Sequence, residues 1–187
     1  LGFRVKLLAV GRLNGSREVE ARVHPAFVRR GTPLSAIPGA LNAVQVDSRN
    51  LGSTLYQGPG AGGFPTGNAV LADIIEAARG LRAGVMPPAP PRGTLVLADP
   101  DASLGAYYLR FLVADRPGVL ASIAQALAEN GISLETVLQP SAVGPGPVPV
   151  VVTTHACTRG DMVGALAALR KVRRSVKAVT AVRIELE

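Results

Sequence analysis

The stretch from Tyr107 to Gln139, YYLRFLVADRPGVLASIAQALAENGISLETVLQ, decides the fold of the carboxy-terminal half of the chain. Its opening apolar run, Tyr107–Ala114, predicts a strand. Pro117–Glu129 then repeats apolar residues at helical spacing and stops at Asn130-Gly131, so it predicts an amphipathic helix. Ile132–Gln139 predicts a second strand that follows directly.

Three further segments complete this half of the chain. Val148–Ala156 is an apolar run rich in valine and threonine, which predicts a strand. Thr158 and Asp161 have the spacing of a capping box and predict the start of a second helix. Val176–Leu186 alternates apolar and polar residues and predicts the last strand. The order β-α-β-β-α-β is typical of a ferredoxin-like domain.

A proline-rich segment precedes this half. Arg82–Pro91 reads RAGVMPPAPP, which is typical of a semi-rigid linker with polyproline II character. We therefore divide the chain into an amino-terminal block at residues 1–81, a linker at 82–104 and a carboxy-terminal domain at 105–187. Thr94–Ala98 either adds a strand or simply covers the domain.

The amino-terminal block is rich in predicted strands. Phe3–Gly11 and Glu18–Val23 predict a hairpin, which should end at His24-Pro25 because proline cannot donate a hydrogen bond within a sheet. Leu41–Asp47 and Gly52–Gln57 predict a second strand pair. The result is a partial mixed or antiparallel sheet, and the whole chain is predicted to be of the α+β class.

One strong helix and one short turn complete this block. Thr32–Ile37 predicts a turn or a single helical turn. Pro65 fits the first turn of a helix in which apolar residues recur at helical spacing, and Gly80 fits its end. The block looks too one-sided to be complete, and the chain begins inside a predicted strand without a methionine. We therefore expect preceding sequence in the natural protein and association into dimers or tetramers.

The composition is that of a folded protein. Of 187 residues, 48% are hydrophobic and 18% charged, and no apolar run reaches the ~18 residues of a membrane-spanning helix. We expect a cytoplasmic protein without a membrane partner. The single cysteine, Cys157, lies in an apolar run, which favours a buried structural thiol and no metal site.

The net charge of +7 raises the possibility of nucleic-acid binding. The arginines are scattered, however, and the one dense cluster, residues 170–174, lies at the predicted end of a helix. Cations there complement the helix dipole and usually form a solvated face. We therefore expect no nucleic-acid partner. An RNA-binding ferredoxin-like module would also need aromatic residues on its central strands, and Val148–Ala156 has none.

Gly58–Gly63, GPGAGG, matches the pattern G-x-G-x-x-G between a predicted strand and a helix. A dinucleotide site of the Rossmann type also needs an acidic residue about 20 positions further on. No Asp or Glu occurs between Ala77 and Ala98, and the helix leads into the proline-rich segment. The segment is therefore not a Rossmann fingerprint. A tight turn and a close approach to a ligand both remain open.

Several motifs together resemble the end of the catalytic region of homoserine dehydrogenases, in order and with matching spacing over essentially all of residues 1–80. They are RVHP at 22–25, PL at 33–34, LNAV at 41–44, YQGPGAGGFPT at 56–66, and Ala69, Val70 and Asp73 in the helix.

The resemblance implies an oxidoreductase that reversibly reduces aspartate 4-semialdehyde to homoserine with NAD or NADP, in threonine and methionine biosynthesis. It also implies that the glycine segment meets the nicotinamide end of the cofactor, which makes Gly58, Gly60, Ala61 and Gly62 the candidate contacts. The family's catalytic lysine, substrate carboxylates and Rossmann domain belong to upstream sequence. No catalytic residue is therefore assigned here, and the chain alone is predicted to be inactive. Lys6 and His24 are interpreted as structural.

The segment around DRPGVL resembles ACT regulatory domains, and the predicted βαββαβ order agrees. The resemblance implies an amino-acid effector, with L-threonine the expected one. The amide groups at the start of the helix would bind its carboxylate, and Asp115 its ammonium group. The candidate residues are Asp115, Arg116, Gly118, Val119, Leu120, Asn130 and Ile132. Two alternatives remain: Asp115 only caps the helix, or the chain is a stand-alone ACT-type binding or assembly module.

Overall fold

A computed structural model describes residues 2–85, 93–140, 146–171 and 176–185. The strands are β1 (Phe3–Asn14), β2 (Glu18–Arg29), β3 (Leu41–Ser48), β4 (Gly52–Pro59), β5 (Val96–Leu97), β6 (Leu104–Val113), β7 (Leu134–Leu138), β8 (Val148–Thr154), β9 (Cys157–Thr158) and β10 (Val176–Ile184). The helices are α1 (Pro33–Ala36), α2 (Gly63–Ala83), α3 (Val119–Ala128) and α4 (Arg159–Lys171), and Pro100–Ala102 forms a 3-10 helix.

The carboxy-terminal half has the predicted βαββαβ order in β6, α3, β7, β8, α4 and β10. Its four main strands lie in the order β10-β6-β8-β7, and all neighbours are antiparallel. This is the strand order of a ferredoxin-like domain, and the predicted α+β class is confirmed.

One apolar core holds this half together. Leu109 and Phe111 on β6, Ile123 and Leu127 on α3, and Leu169 on α4 are all essentially buried. Each such side chain contributes about 1.5–3 kcal/mol relative to exposure. The predicted capping box at the start of α4 is also present, since Thr158 Oγ1 accepts from the amide of Asp161 at 3.1 Å. Thr158 N in turn donates to the Asp161 carboxylate at 3.3 Å.

The chain divides into two compact units whose limits differ from the predicted division near residue 82. One unit joins Leu1–Arg29 to Leu95–Glu187, and the other is Arg30–Thr94. The hairpin of β1 and β2 belongs to the first unit because β2 pairs with β10 in parallel, at Ala26 with Arg183 and at Phe27 with Ile184. On the same edge, β5 pairs with the beginning of β2.

The prediction that this hairpin ends at His24-Pro25 is wrong, because β2 continues to Arg29. Pro25 lies opposite Leu7 in the ladder with β1 and just before the two residues that pair with β10. Proline disrupts a sheet only where a neighbouring strand requires its N–H group. The parallel ladder begins beyond Pro25, so the strand passes through it.

The unit Arg30–Thr94 contains α1, the antiparallel pair of β3 and β4, and the 21-residue helix α2. The predicted end of α2 at Gly80 is wrong: the helix runs to Ala83 and is capped by Gly84, whose φ is +65°. The N–H group of Gly84 donates to the carbonyl groups of Gly80 and Leu81. A left-handed residue stops a helix by satisfying its last carbonyl groups, whereas glycine in an ordinary helical conformation does not.

No residue of α2 is buried, and its apolar residues, among them Val70, Leu71 and Ile74, are 54–60% exposed. An apolar helix face of this kind is typical of an interface. Arg82 and Ala83, assigned above to the linker, still belong to α2. The predicted linker from residue 86 to 92 and most of the basic cluster at 170–174 lie outside the described residues. None of the described helices is long and apolar enough to cross a membrane.

Candidate functional site

The glycine segment forms the passage from β4 into α2, as predicted. Gly58 pairs with Asn42 across the β3–β4 ladder, and α2 begins at Gly63. Gly60, Ala61 and Gly62 are exposed, and Gly58 is half-buried. All four predicted cofactor contacts therefore lie in one accessible stretch of backbone.

The start of α2 has two N–H groups available to a ligand. Thr66 N bonds to the carbonyl of Gly62 at 3.1 Å, and Pro65 has no N–H group. The amides of Gly63 and Phe64 precede the first helical bond, and no side chain caps them. Because they lie at the positive end of the helix dipole, they favour a negative or carbonyl oxygen.

The glycines of this segment are present for different reasons. Gly62 has a φ of +121°, which side-chain-bearing residues rarely adopt. At Gly60 a methyl group would overlap the side-chain amide of Asn42. At Gly58 and Gly63 a methyl group would meet open space among the described residues, and φ is not positive. The need for a tight turn therefore explains why residue 62 is glycine, but it does not explain the glycines at positions 58 and 63.

The start of α3 is a second exposed helix terminus. Its N-cap is Gly118, with a φ of +85° and no side-chain cap hydrogen bond. Asp115 and Arg116 are exposed, and Leu120 is 39% exposed. The alternative that Asp115 caps α3 is thus not what the structure shows. Asp115 is exposed and precedes the N-cap by three residues.

The remaining effector candidates have internal roles. The side chains of Val119 and Ile132 lie in the apolar core. Asn130 donates from Nδ2 to the Ala126 carbonyl at 2.8 Å, and its Oδ1 packs so closely on Gly164 that a methyl group there would lie 2.7 Å away. Asn130 therefore closes the end of α3 against α4, and its side chain is committed to that contact.

A part-buried polar network on β2 and after β10 was missed by the sequence reasoning. Arg22 donates two hydrogen bonds to Glu185, at 3.0 and 2.8 Å, and one to Glu20, which also accepts from Ser103. His24 Nε2 accepts from Arg22 Nε at 3.0 Å. The available signal was the alternation of Glu20, Arg22 and His24 along one face of an otherwise apolar strand.

The network holds Glu20 in its charged form. Burial by itself would raise the pKa of Glu20, but the Ser103 hydrogen bond and the charges of Arg22, Arg12 and Arg183 together lower that pKa below its ordinary value of 4.5. His24 Nδ1 lies 3.2 Å from the carbonyl of Pro25. Both ring nitrogens of His24 therefore have partners, Arg22 Nε for Nε2 and the Pro25 carbonyl for Nδ1.

Two further titratable groups lie in the core. Cys157 is buried as predicted, and burial raises the pKa of its thiol. Burial also raises the pKa of the Tyr107 hydroxyl, although the nearby Arg183 lowers it in part. Within the described ranges no group of three or more His, Cys, Asp or Glu side chains could hold a metal ion.

The chain combines a ferredoxin-like domain with a unit of strands and helices, Arg30–Thr94, that carries the glycine segment. Comparison with known families agrees: the ACT domain model matches residues 107–174, and the homoserine dehydrogenase model matches residues 1–75. The chain corresponds to the carboxy-terminal region of homoserine dehydrogenases followed by an ACT domain. The resemblance drawn from the motifs is thereby confirmed.

Individual relatives support this assignment. The homoserine dehydrogenases of Neisseria gonorrhoeae and Helicobacter pylori are each 35% identical to the chain and align with 99% and 98% of it, but with only 44% and 43% of their own lengths. The crystal structure of a homoserine dehydrogenase from Thiobacillus denitrificans superposes with a TM-score of 0.86 at 32% identity, over 98% of this chain and 43% of that one. The chain thus spans less than half the length of these relatives.

Proposed function

We propose that the chain is the carboxy-terminal part of a cytoplasmic homoserine dehydrogenase, which interconverts L-homoserine and L-aspartate 4-semialdehyde with NAD or NADP in threonine and methionine biosynthesis. The observation that carries the proposal is the exposed glycine segment, residues 58–63, within a chain that aligns almost completely with such enzymes. In this proposal residues 1–81 and the end of α2 at Ala83 belong to the catalytic and dimerisation region, the linker follows α2 and ends at residue 104, and 105–187 form the ACT domain.

The proposed role of the glycine segment is to contact the nicotinamide end of a cofactor held by sequence outside this chain. The free amides of Gly63 and Phe64 would donate to an oxygen of the ligand, and the missing side chains at Gly58 and Gly63 would let it approach. Gly60, Ala61 and Gly62 would contribute backbone contacts. Proton or hydride transfer is not assigned to any residue of this chain.

The proposed role of the ACT domain is to bind an amino acid, with L-threonine the expected effector. The accessible Asp115 carboxylate would accept the ammonium group, and backbone amides at Gly118 and Leu120 would meet the carboxylate. Val119 N lies between them and would have to exchange its 3.5 Å bond to the Arg116 carbonyl for the ligand. Arg116 lies beside them and is exposed. Asn130 and Ile132 would support the site from behind, because their side chains are already engaged in packing.

Assembly into a dimer or tetramer is part of the proposal. The hairpin of β1 and β2 exposes an apolar face, on which Val5, Leu7 and Val23 are 61%, 74% and 70% exposed. The helix α2 exposes a second one. Apolar surfaces of this kind on two elements are typical of chains that bury them against a partner.

Two measurements test the proposed function. The full-length protein that contains this chain should reduce NADP when given L-homoserine, and the 187-residue chain alone should produce no NADPH. Turnover by the isolated chain, or its absence from the full-length protein, would contradict the proposal.

Calorimetry with millimolar L-threonine tests the effector separately. A folded oligomer that takes up no L-threonine would remove that part of the proposal. The stand-alone ACT module is the less favoured function, because the homoserine dehydrogenase match extends over the strand-and-helix unit as well.

A further inference from the structure

We propose that Asn42 is the positioning residue of the glycine segment, and that it acts by bracing Gly60. The inference rests on the proposed function, because it concerns how the same backbone is presented to a nicotinamide cofactor. Asn42 lies at the beginning of β3, one residue before the strand's first half-buried side chain, and its own side chain is exposed.

The contact itself is short and direct. Asn42 is the ladder partner of Gly58, two residues before Gly60, so β3 carries its side chain to the point where β4 ends. A methyl group on Gly60 would overlap Nδ2 of Asn42 and would lie 2.5 Å from Cγ and 3.2 Å from Oδ1. The planar amide therefore covers the side of Gly60 from which a side chain would project.

This contact, and not backbone strain, is what a side chain at position 60 would meet, and the exposed Asn42 amide would have to turn aside to admit it. Gly60 does not have a positive φ, so residues with a side chain can adopt its conformation. Gly62, by contrast, has a φ of +121° and needs glycine for its conformation alone. A side chain would therefore meet a movable amide at position 60 and a strained backbone conformation at position 62.

The close contact with Gly60 is the interaction that the structure shows for the side-chain amide of Asn42 among the described residues. This amide forms no hydrogen bond there, whereas the amide of Gln45 on the same strand donates to Asp47 at 3.1 and 3.3 Å. An exposed amide without a hydrogen bond gains little stability for the hairpin itself. Its close packing on Gly60 is the feature that distinguishes it.

The direction of the contact determines how a cofactor can use Gly60. Asn42 fills the space that a side chain on Gly60 would occupy. A ligand therefore reaches Gly60 from the opposite side, where it meets backbone atoms. By restricting rotation of the peptide groups around Gly60, the brace holds the following amides of Gly63 and Phe64 in the orientation that a bound oxygen requires. Asn42 thus acts on the cofactor through Gly60.

A double-mutant cycle in the full-length enzyme tests the brace. Asn42→Ala should raise KM for NADP by about two- to fivefold, the size of one lost packing contact, while kcat changes little. Gly60→Ala should raise it by a similar amount, because its methyl group turns the Asn42 amide out of the contact. In Asn42→Ala the methyl group finds space, so the double variant should match Asn42→Ala alone.

Two controls separate positioning from general damage. Asn42→Asp keeps the planar shape of the side chain and should behave like the wild type. Asn50→Ala, a change of the same kind in the exposed turn between β3 and β4, should leave KM for NADP and for homoserine unchanged. Circular dichroism should show the same fold for every variant.

The inference is overturned if Asn42→Ala leaves KM for NADP unchanged, or if Gly60→Ala is equally harmful with and without Asn42. In the latter case the cofactor itself, and not Asn42, excludes a side chain at position 60. An inactive wild-type enzyme would instead remove the proposed function. Amide hydrogen exchange at residues 60–64 then decides about the brace: faster exchange in Asn42→Ala supports it, and equal exchange overturns it.

Discussion

Arg22 on β2 holds Glu185, the residue after β10, through two hydrogen bonds of 3.0 and 2.8 Å. The two side chains are only 13% and 14% exposed, and they are separated by 163 positions in the sequence. Two ladder pairs join β2 to β10 beside them. This ion pair therefore reinforces a short backbone connection between the amino-terminal hairpin and the ACT sheet.

Removal of Arg22 should weaken this connection. Arg22→Ala removes the shared partner of Glu20 and Glu185, although Glu185 keeps Arg183 Nε at 3.2 Å, so we expect a loss of about 1–3 kcal/mol in the free energy of unfolding. Urea unfolding followed by circular dichroism measures it. The control is Arg159→Ala, whose partner Asp101 is 59% exposed and which should cost less than about 1 kcal/mol. Equal losses in both variants would contradict the prediction.

The lowered pKa of Glu20 predicts a specific dependence of stability on pH. The folded protein favours the charged form of Glu20 more than the unfolded chain does. The resulting stabilisation of the fold is present above the ordinary pKa of 4.5. It is lost as the pH falls below that value and through the folded pKa.

Urea titrations between pH 7 and 3 should therefore show a steeper loss of stability for the wild type than for Glu20→Gln. Ser103→Ala should shift the loss to higher pH, because it removes the hydrogen bond that lowers the pKa. Identical pH profiles for the wild type and Glu20→Gln would rule this out.

Asp115 and Asn130 should respond differently to substitution. Asp115→Asn removes an exposed charge, so we expect unchanged stability and a tenfold or larger loss in L-threonine affinity, about the worth of a charge-assisted hydrogen bond. Asn130→Ala removes the bond to Ala126 and should cost about 1 kcal/mol of stability. Calorimetry and thermal unfolding measure the two effects. A purely structural Asp115 would show the reverse pattern.

The glycines at 62 and 63 form a matched pair. Gly62→Ala forces a side chain into a φ of +121° and should destabilise the segment by about 1–3 kcal/mol. Gly63→Ala places a methyl group in open space at the first position of α2, so stability should be kept while KM for NADP in the full-length enzyme rises severalfold. An unaltered KM in Gly63→Ala would argue against close approach of the cofactor there.

Cys157 offers a direct readout of folding. It is the one cysteine in the sequence, and it is 6% exposed with its thiol pKa raised by burial. Since the thiolate is the reactive form, labelling with a disulfide reagent should be slow in the native protein at pH 8 and fast in urea. Arg22→Ala should speed native labelling if the junction of β2 and β10 protects this core. Rapid labelling of the native wild type would contradict the burial of this residue.

Several features could be predicted because they depend on residues close together in the sequence. The alternating and helical patterns after Tyr107 predicted the βαββαβ order, and Thr158 with Asp161 predicted the cap of α4. The glycine segment was correctly expected between a strand and a helix. Its motifs also carried the family resemblance that the comparisons confirmed.

Other features were misjudged because their outcome depends on distant partners. Pro25 was expected to end its strand, but a proline is harmful only beside a strand that needs its N–H group, and the ladder with β10 begins after it. Gly80 was expected to end α2, but the left-handed conformation that terminates a helix occurs at Gly84. The side-chain roles of Asn130 and Val119 also became clear only from packing.

The sequence by itself determined the local structure of this protein: its strands and helices, the cap of α4, the glycine turn and the family to which its motifs point. These follow from periodicity and from conformational preferences within a few residues. Only the tertiary structure decided that the amino-terminal hairpin joins the ACT sheet, that Arg22 meets Glu185 and that Asn42 covers Gly60. Such contacts depend on which surfaces meet in space, and no local pattern encodes the partner.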